Sequence, residues 1–155
     1  MTARILQDSV VEDLAQLFSG DSFKKPGGGM AHPSVFRQFL PKRYTSEKNI
    51  PFPLIIVRLS DGGIEDQTEA HKINLKLIIG VFDDDQENDG HVSVLEIIER
   101  IQKHYEEYPI LAEQFRFTDP FVWALQDEES YPFFYGACNL TFEAPPPRIA
   151  GSEFV

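Results

Sequence analysis

Residues 81–98, VFDDDQENDGHVSVLEII, set five carboxylates between Asp83 and Asp89, then a glycine and an apolar run. Counted from Asp85, the residues Asp85, Glu87, Asp89, His91, Ser93 and Glu96 fall at positions 1, 3, 5, 7, 9 and 12 of a twelve-residue loop. Gly90 takes position 6 and Val92 position 8. An EF-hand spaces its oxygen ligands this way, because a hard calcium ion needs six to eight oxygens around a sharp glycine turn. Two features oppose a metal. Position 3 holds Glu87 where a shorter acid or amide is wanted, and the segment entering the loop, LKLIIGVF, reads as a strand where an EF-hand needs a helix. No second loop exists to pair with it. A plain strand-to-helix turn accounts for the same residues. Ser93 with Glu96 would form a capping box, and Val92 with Ile97 its hydrophobic staple. Acids beside a helix N-terminus gain roughly 0.3–1 kcal/mol each. Repulsion between carboxylates about 6 Å apart in water is only around 0.7 kcal/mol per pair, so no ion is needed. The expectation is a solvated turn without metal, with a small calcium-binding module as an alternative.

Other chemistry is sparse. His32, His71, His91 and His104 make neither HxH nor HExxH spacing, which argues against zinc. KPGGGMAHPS lacks the lysine-serine/threonine ending of a phosphate loop, and no GxSxG is present. Cys138 sits on the apolar face of an expected strand and reads as a buried thiol. DEES, residues 127–130, reads as a hairpin turn between strands before it reads as an acid/base pair. Arg58, alone in an apolar strand, suits a salt bridge within the sheet or a neighbouring subunit. The expectation is therefore a protein without catalytic residues or cofactors; a carboxylate hydrolase has only the abundance of acids behind it.

The elements around these residues follow from periodicity. Residues 4–19 place Leu6, Val10, Leu14, Leu17 and Phe18 at helical spacing, with Gly20 as the stop. Residues 20–52 read as a long loop in which KKPGGGMAHPS cannot hold regular structure, while VFRQFLP fits a short strand or a turn. Strands are expected at 54–60, 72–82, 120–126 and 133–142. In the second, Ile73, Leu75, Leu77, Ile79 and Val81 share a face; in the last, Phe134, Gly136, Cys138, Leu140 and Phe142 do. DGG, 61–63, reads as a turn or the start of a longer link. A second helix is expected over 93–108, with Val94, Ile97, Ile98, Ile101, Tyr105 and Tyr108 inward. Glu96 to Arg100 and Glu99 to Lys103 would pair on its wet side. PILAEQF, 109–115, would add a helical turn. APPPR ends the sheet. This order predicts an α+β fold, with a mainly antiparallel sheet of four or slightly more strands packed on two main helices. A single domain over 1–148 carries a long arm at about 20–52. Residues 149–155 form a tail in which GSEF reads equally as a cloning scar.

The 155 residues, 42% apolar and with 13 Phe, suit one folded domain. No apolar run approaches a membrane span, and MTARILQDSVVEDL has acids where an export signal needs an uninterrupted apolar stretch, so none is expected. A single cysteine suits a reducing compartment. The net charge of −11 is uneven. Between Asp21 and Ile50 stand Lys24, Lys25, Arg37, Lys42, Arg43 and Lys48 against Asp21 and Glu47, about +4, which leaves about −15 elsewhere. Nucleic acid is a poor partner for so acidic a body, and the arm has no RNA-binding signature. A basic arm on one copy resting on the acidic body of the next is a better match. Such a contact is heterologous and closes into a ring if its rotation permits. The candidate interface is Lys24, Lys25, Met30, Phe36, Arg37, Phe39, Lys42 and Arg43, with Val35 and Leu40 adding apolar surface.

The succession FPLIIVRLSDGG, INLKLIIGVFDDD, DGHVSVLEIIERI and FVWALQDEESYPFFYGACNLTFEAPPPR, over about residues 50–148, resembles the tail terminator (tail completion) proteins of long-tailed bacteriophages and prophages. The resemblance implies an α+β fold and a homomeric ring, usually of six subunits, on the end of a finished tail tube. The ring would stop polymerisation of the major tail tube protein and offer a docking surface to the head-tail connector protein. It implies no enzyme activity and no cofactor. The expected location is the virion tail, after assembly in the host bacterial cytoplasm. A head-tail connector subunit, also a small ring-former, is the related alternative.

Overall fold

The computed structural model describes residues 2–44, 46, 49–64 and 70–145. Glu47, Lys48 and everything from residue 146 lie outside the described residues, including most of APPPR and the GSEF tail. The fold is α+β. Helix α1 (Thr2–Leu17) is followed by β1 (Phe23–Lys24), β2 (Met30–Ala31), β3 (Ser34–Arg37), β4 (Leu54–Gly63) and β5 (His71–Phe82). Helix α2 (His91–Glu107), β6 (Ile110–Leu111), β7 (Phe115–Leu125) and β8 (Phe133–Ala144) complete the order. The main sheet has six strands in the order β3-β4-β5-β8-β7-β6, and β1 and β2 form a separate ribbon. The four central strands are those expected from alternation. The two edge strands make the sheet larger, and β3 makes it mixed, because it runs parallel to β4.

Alternation along β5 and β8 creates the core. Ile73, Leu75, Leu77, Ile79 and Val81 are buried on one face, alongside Cys138, Leu140 and Phe142. Both helices cover that face, α1 with Leu6, Val10 and Leu14, and α2 with Val94, Ile97, Ile98, Ile101 and Tyr105. Each fully buried side chain of this size contributes roughly 1.5–3 kcal/mol against leaving it in water. The Tyr105 hydroxyl, buried among them, has no hydrogen-bond partner among the described residues. Burial foremost, then the nearby Asp13 carboxylate, pushes its ionisation far above the ordinary tyrosine range. Asp13 is itself taken by His104 Nε2 at 2.8 Å, which clips α1 to α2. On the opposite face a second, smaller core gathers Phe52, Leu54 and Ile56 under Phe36, Leu40 and Phe133. Phe36, Leu40, Ile50 and Phe52 thus cover one end of the sheet, while Lys76, Asn139, Val122 and Ala124 stay exposed at the other.

Several expectations are corrected. Helix α2 begins at His91, with Gly90 as its N-cap and no side-chain cap hydrogen bond, so Ser93 is already inside the first turn and no capping box forms. Gly90 is required there, since a Cβ would come 2.4 Å from the Phe134 ring. Tyr108 is 65% exposed, because the helix ends at Glu107 and the chain turns outward. Arg100 leaves Glu96 for Asp21 and the Leu17 carbonyl, fastening the arm's first residues to α2. Lys103 reaches Glu107, at 4.0 Å, where Glu99 was expected. DGG belongs to β4, beyond a register shift between Leu59 and Asp61.

PILAEQF is a hairpin where a helical turn was expected. Ile110 pairs with Arg116 and Leu111 with Phe115. Between them Ala112 and Glu113 both have positive φ, 52° and 58°, and Gln114 N–H donates to the Leu111 carbonyl at 3.2 Å. A reversal of this kind favours Asn-Gly, and neither residue is present. Ala112→Asn combined with Glu113→Gly should therefore raise stability by about 0.5–1 kcal/mol, read as a higher urea midpoint with an unchanged slope.

Candidate assembly surface

The arm is fastened to its own domain. Gly27, Gly28 and Gly29, at φ 87°, 100° and 84°, close the β1–β2 ribbon, which is regular structure in a stretch expected to hold none. The left-handed region is open to glycine without steric cost, and three in a row permit the reversal. Strand β3 then pairs with Leu54–Val57. Gln38 locks the exit. At φ 63° its side-chain oxygen accepts from Leu59 N–H at 3.0 Å and from Gln7 Nε2 at 2.9 Å. Gln7, buried inside α1, also donates to the Val57 carbonyl at 2.8 Å. Arg58 Nε donates to the Gln38 carbonyl at 2.7 Å, and its guanidinium lies 4.9 Å from the Phe39 ring centroid. Arg58 therefore holds the arm in place of an acid.

The eight candidate residues divide accordingly. Lys24 Nζ lies 3.1 Å from Asp83 and 3.9 Å from Asp84. Its hydrogen bond to Asp83 holds the ammonium above the ordinary lysine range. Arg37 pairs with Asp8 of α1 at 2.7 Å. Phe36 is half-buried in the second core and meets Tyr44 edge-on at 5.8 Å. Lys25, Met30, Phe39, Lys42 and Arg43 are exposed, Phe39 by 65% and Met30 by 58%. Arg43 stacks on Tyr44 at 4.8 Å. The exposed candidates outside those two ion pairs are thus three cations and two large apolar side chains, carried on a fastened arm. Beside it a cleft of about 560 Å³ opens between α1 and β3, lined by Asp8, Val11, Glu12, Val35, Arg37 and Phe39 among others.

The acidic run does structural work. Asp83 Oδ1 accepts from Asp85 N–H at 3.0 Å, and Asp85 Oδ1 accepts from Glu87 N–H at 2.9 Å. Asn88, at φ 56°, ties the turn to Glu129 of the 126–132 connection at 2.8 Å. Short acids bonding to backbone N–H two residues ahead are turn formers. Because α2 starts at His91, Ser93 and Glu96 lie within the helix, not in a loop closing on Asp85. Among the described residues no three His, Cys, Asp or Glu side chains form a group able to hold a metal. Millimolar calcium should leave the melting temperature where chelator leaves it; a calcium-dependent rise would restore the loop as a site.

Cys138 is fully buried, and burial pushes its thiol up to about 12, so it is unreactive at neutral pH. Asp127, Glu128 and Glu129 are exposed in the connection between β7 and β8. No protein-family model and no curated protein matches this sequence.

Proposed function

We propose that this chain is a structural, non-catalytic subunit that joins copies of itself head-to-tail into a ring and caps a phage tail tube. The observation that carries the reading is the exposed set Lys25, Met30, Phe39, Lys42 and Arg43, held on a fastened arm while the rest of the chain is strongly acidic. Fastening the arm to its own domain lowers the entropic cost of association, and opposite charges set register and encounter rate. The resemblance over residues 50–148 supplies the rest: six copies, contact with the major tail tube protein on one side and with the head-tail connector on the other. Its place is the virion tail, after assembly in the bacterial cytoplasm. A predominantly acidic ring also suits a bore through which DNA slides, since like charges repel phosphate.

The test is tube growth. Tail-tube protein polymerising in the presence of this chain should stop elongating at capped ends, whereas without it tubes lengthen until subunits are exhausted. Tubes that grow equally long in both cases would contradict capping. Binding to connector rings without any effect on tube length would assign the chain to the connector instead.

A further inference from the structure

We infer that neighbouring copies join by strand pairing, with the free edge of β7 in one copy running antiparallel to the free edge of β3 in the next and Trp123 seated in the α1–β3 cleft. This rests on the ring reading and names the joint within it.

Both edges are open. Among the described residues, β6 covers β7 at Phe115 and Arg116, and Phe117 N–H donates to the Pro109 carbonyl at 2.8 Å, which leaves the far end of β7 open. Gln126 N–H donates to the Tyr135 carbonyl at 3.2 Å, which sets the phase of the β7–β8 ladder. Alternation then turns the backbone groups of Ala124 and Val122 toward β8, and those of Trp123 and Leu125 outward. At the other end of the sheet Ser34 N–H donates to the Pro53 carbonyl and Gln38 N–H to Val57. Val35 and Arg37 therefore face outward, although the Arg37 carbonyl also accepts from Phe39 N–H at 2.7 Å, so Val35 offers the freer backbone groups. An unpaired edge normally carries a charge or a proline to deter association. On β7 Asp119 and Pro120 serve this purpose, but the stretch Val122, Trp123, Ala124 and Leu125 beyond them has neither. It leaves Val122 51% and Trp123 50% exposed.

The two edges also match in direction and face. Strand β3 is parallel to β4, and three antiparallel steps separate β4 from β7, so β7 runs opposite to β3. A copy added without being flipped brings β3 against β7 antiparallel, with helices on the same side. Trp123 is in register with Cys138, and Arg37 with Val57, so both side chains stand on the helix-covered face. With Val35 opposite Leu125 and Arg37 opposite Trp123, the indole falls beside Arg37 and into the cleft. There the guanidinium offers its face, and the carboxylates of Asp8 and Glu12 can accept the indole N–H. Because the two edges differ, the joint is heterologous and can close a ring.

Trp123 is the only tryptophan, so its fluorescence reports the joint directly. As protein concentration drives assembly, followed by sedimentation, its emission should move to the blue and acrylamide quenching should fall severalfold with the same midpoint. In parallel, Val35→Cys with Leu125→Cys should give disulfide-linked multimers on oxidation. Within one chain these positions lie four strand spacings apart, about 19 Å, beyond the reach of a disulfide. The buried Cys138 does not compete. Assembly with Trp123 unchanged and no cross-link would overturn the strand joint and leave the ring reading standing. A chain that never assembles removes both. A Trp123 response only when tail tubes are added would give this edge to the tube protein and also overturn the proposal.

Discussion

Phe142→Ala is expected to destabilise the domain by about 3–5 kcal/mol. Phe142 is fully buried on the helix-covered face of β8. Its ring meets Tyr105 edge-on at 5.4 Å and Phe117 at 5.8 Å, so it is the centre of an aromatic cluster joining α2 to β7. Truncation removes the apolar transfer term and leaves a cavity between elements that strand pairing holds apart. A domain has only about 5–15 kcal/mol in all, so this one change removes a large share of it. For a chain of this size the melting temperature should fall by roughly 6–20 °C. A drop of only a degree or two would mean that the helix layer relaxes onto the sheet, and that the packing between α2 and β8 is looser than described.

Phe39→Ala should do the opposite. Folding should change by less than about 1 kcal/mol, because the ring is largely in water and loses only its contact with the Arg58 guanidinium. Arg58 keeps its hydrogen bond to the Gln38 carbonyl, so the arm stays fastened. Association of copies should nevertheless weaken by about 30-fold or more, the loss of roughly 2 kcal/mol that marks a buried aromatic anchor. Sedimentation over a concentration series reads the second effect and a thermal melt the first. Unchanged assembly would exclude Phe39 from the subunit contact. A large fall in melting temperature would make it a structural residue.

The contrast between these two phenylalanines shows what the sequence discloses and what it withholds. Phe142 was legible because β8 alternates for ten residues, and a period of two states which side faces the core. The stripes of α1 and α2 were legible for the same reason at their own period. Strand β3 was ambiguous because four residues carry too little pattern, and its pairing depends on Leu54–Val57, far along the chain. The β6–β7 reversal was hidden because Ala112 and Glu113 adopt positive φ without the residues that advertise it. Gln7 gave no sign at all. A glutamine on an amphipathic helix reads as surface until Gln38 and the Val57 carbonyl are found opposite it.

The basic arm shows the same division. Its charge was countable from composition, but which cations are spent within the chain was not. Lys24 and Arg37 find Asp83 and Asp8 only through the fold. Exposed pairs of this kind contribute about 0–1 kcal/mol, so they orient the arm more than they stabilise it. Composition could suggest a charged strap; only the fold distinguishes a loose strap from a fixed shoulder with a cleft beside it.

Particle imaging of the purified chain at high concentration, alone and mixed with tail tubes, tests the central claim most directly. The account predicts closed rings of a single copy number, with rings seated on the ends of tubes. Single copies at every concentration, together with bare tube ends, would contradict it.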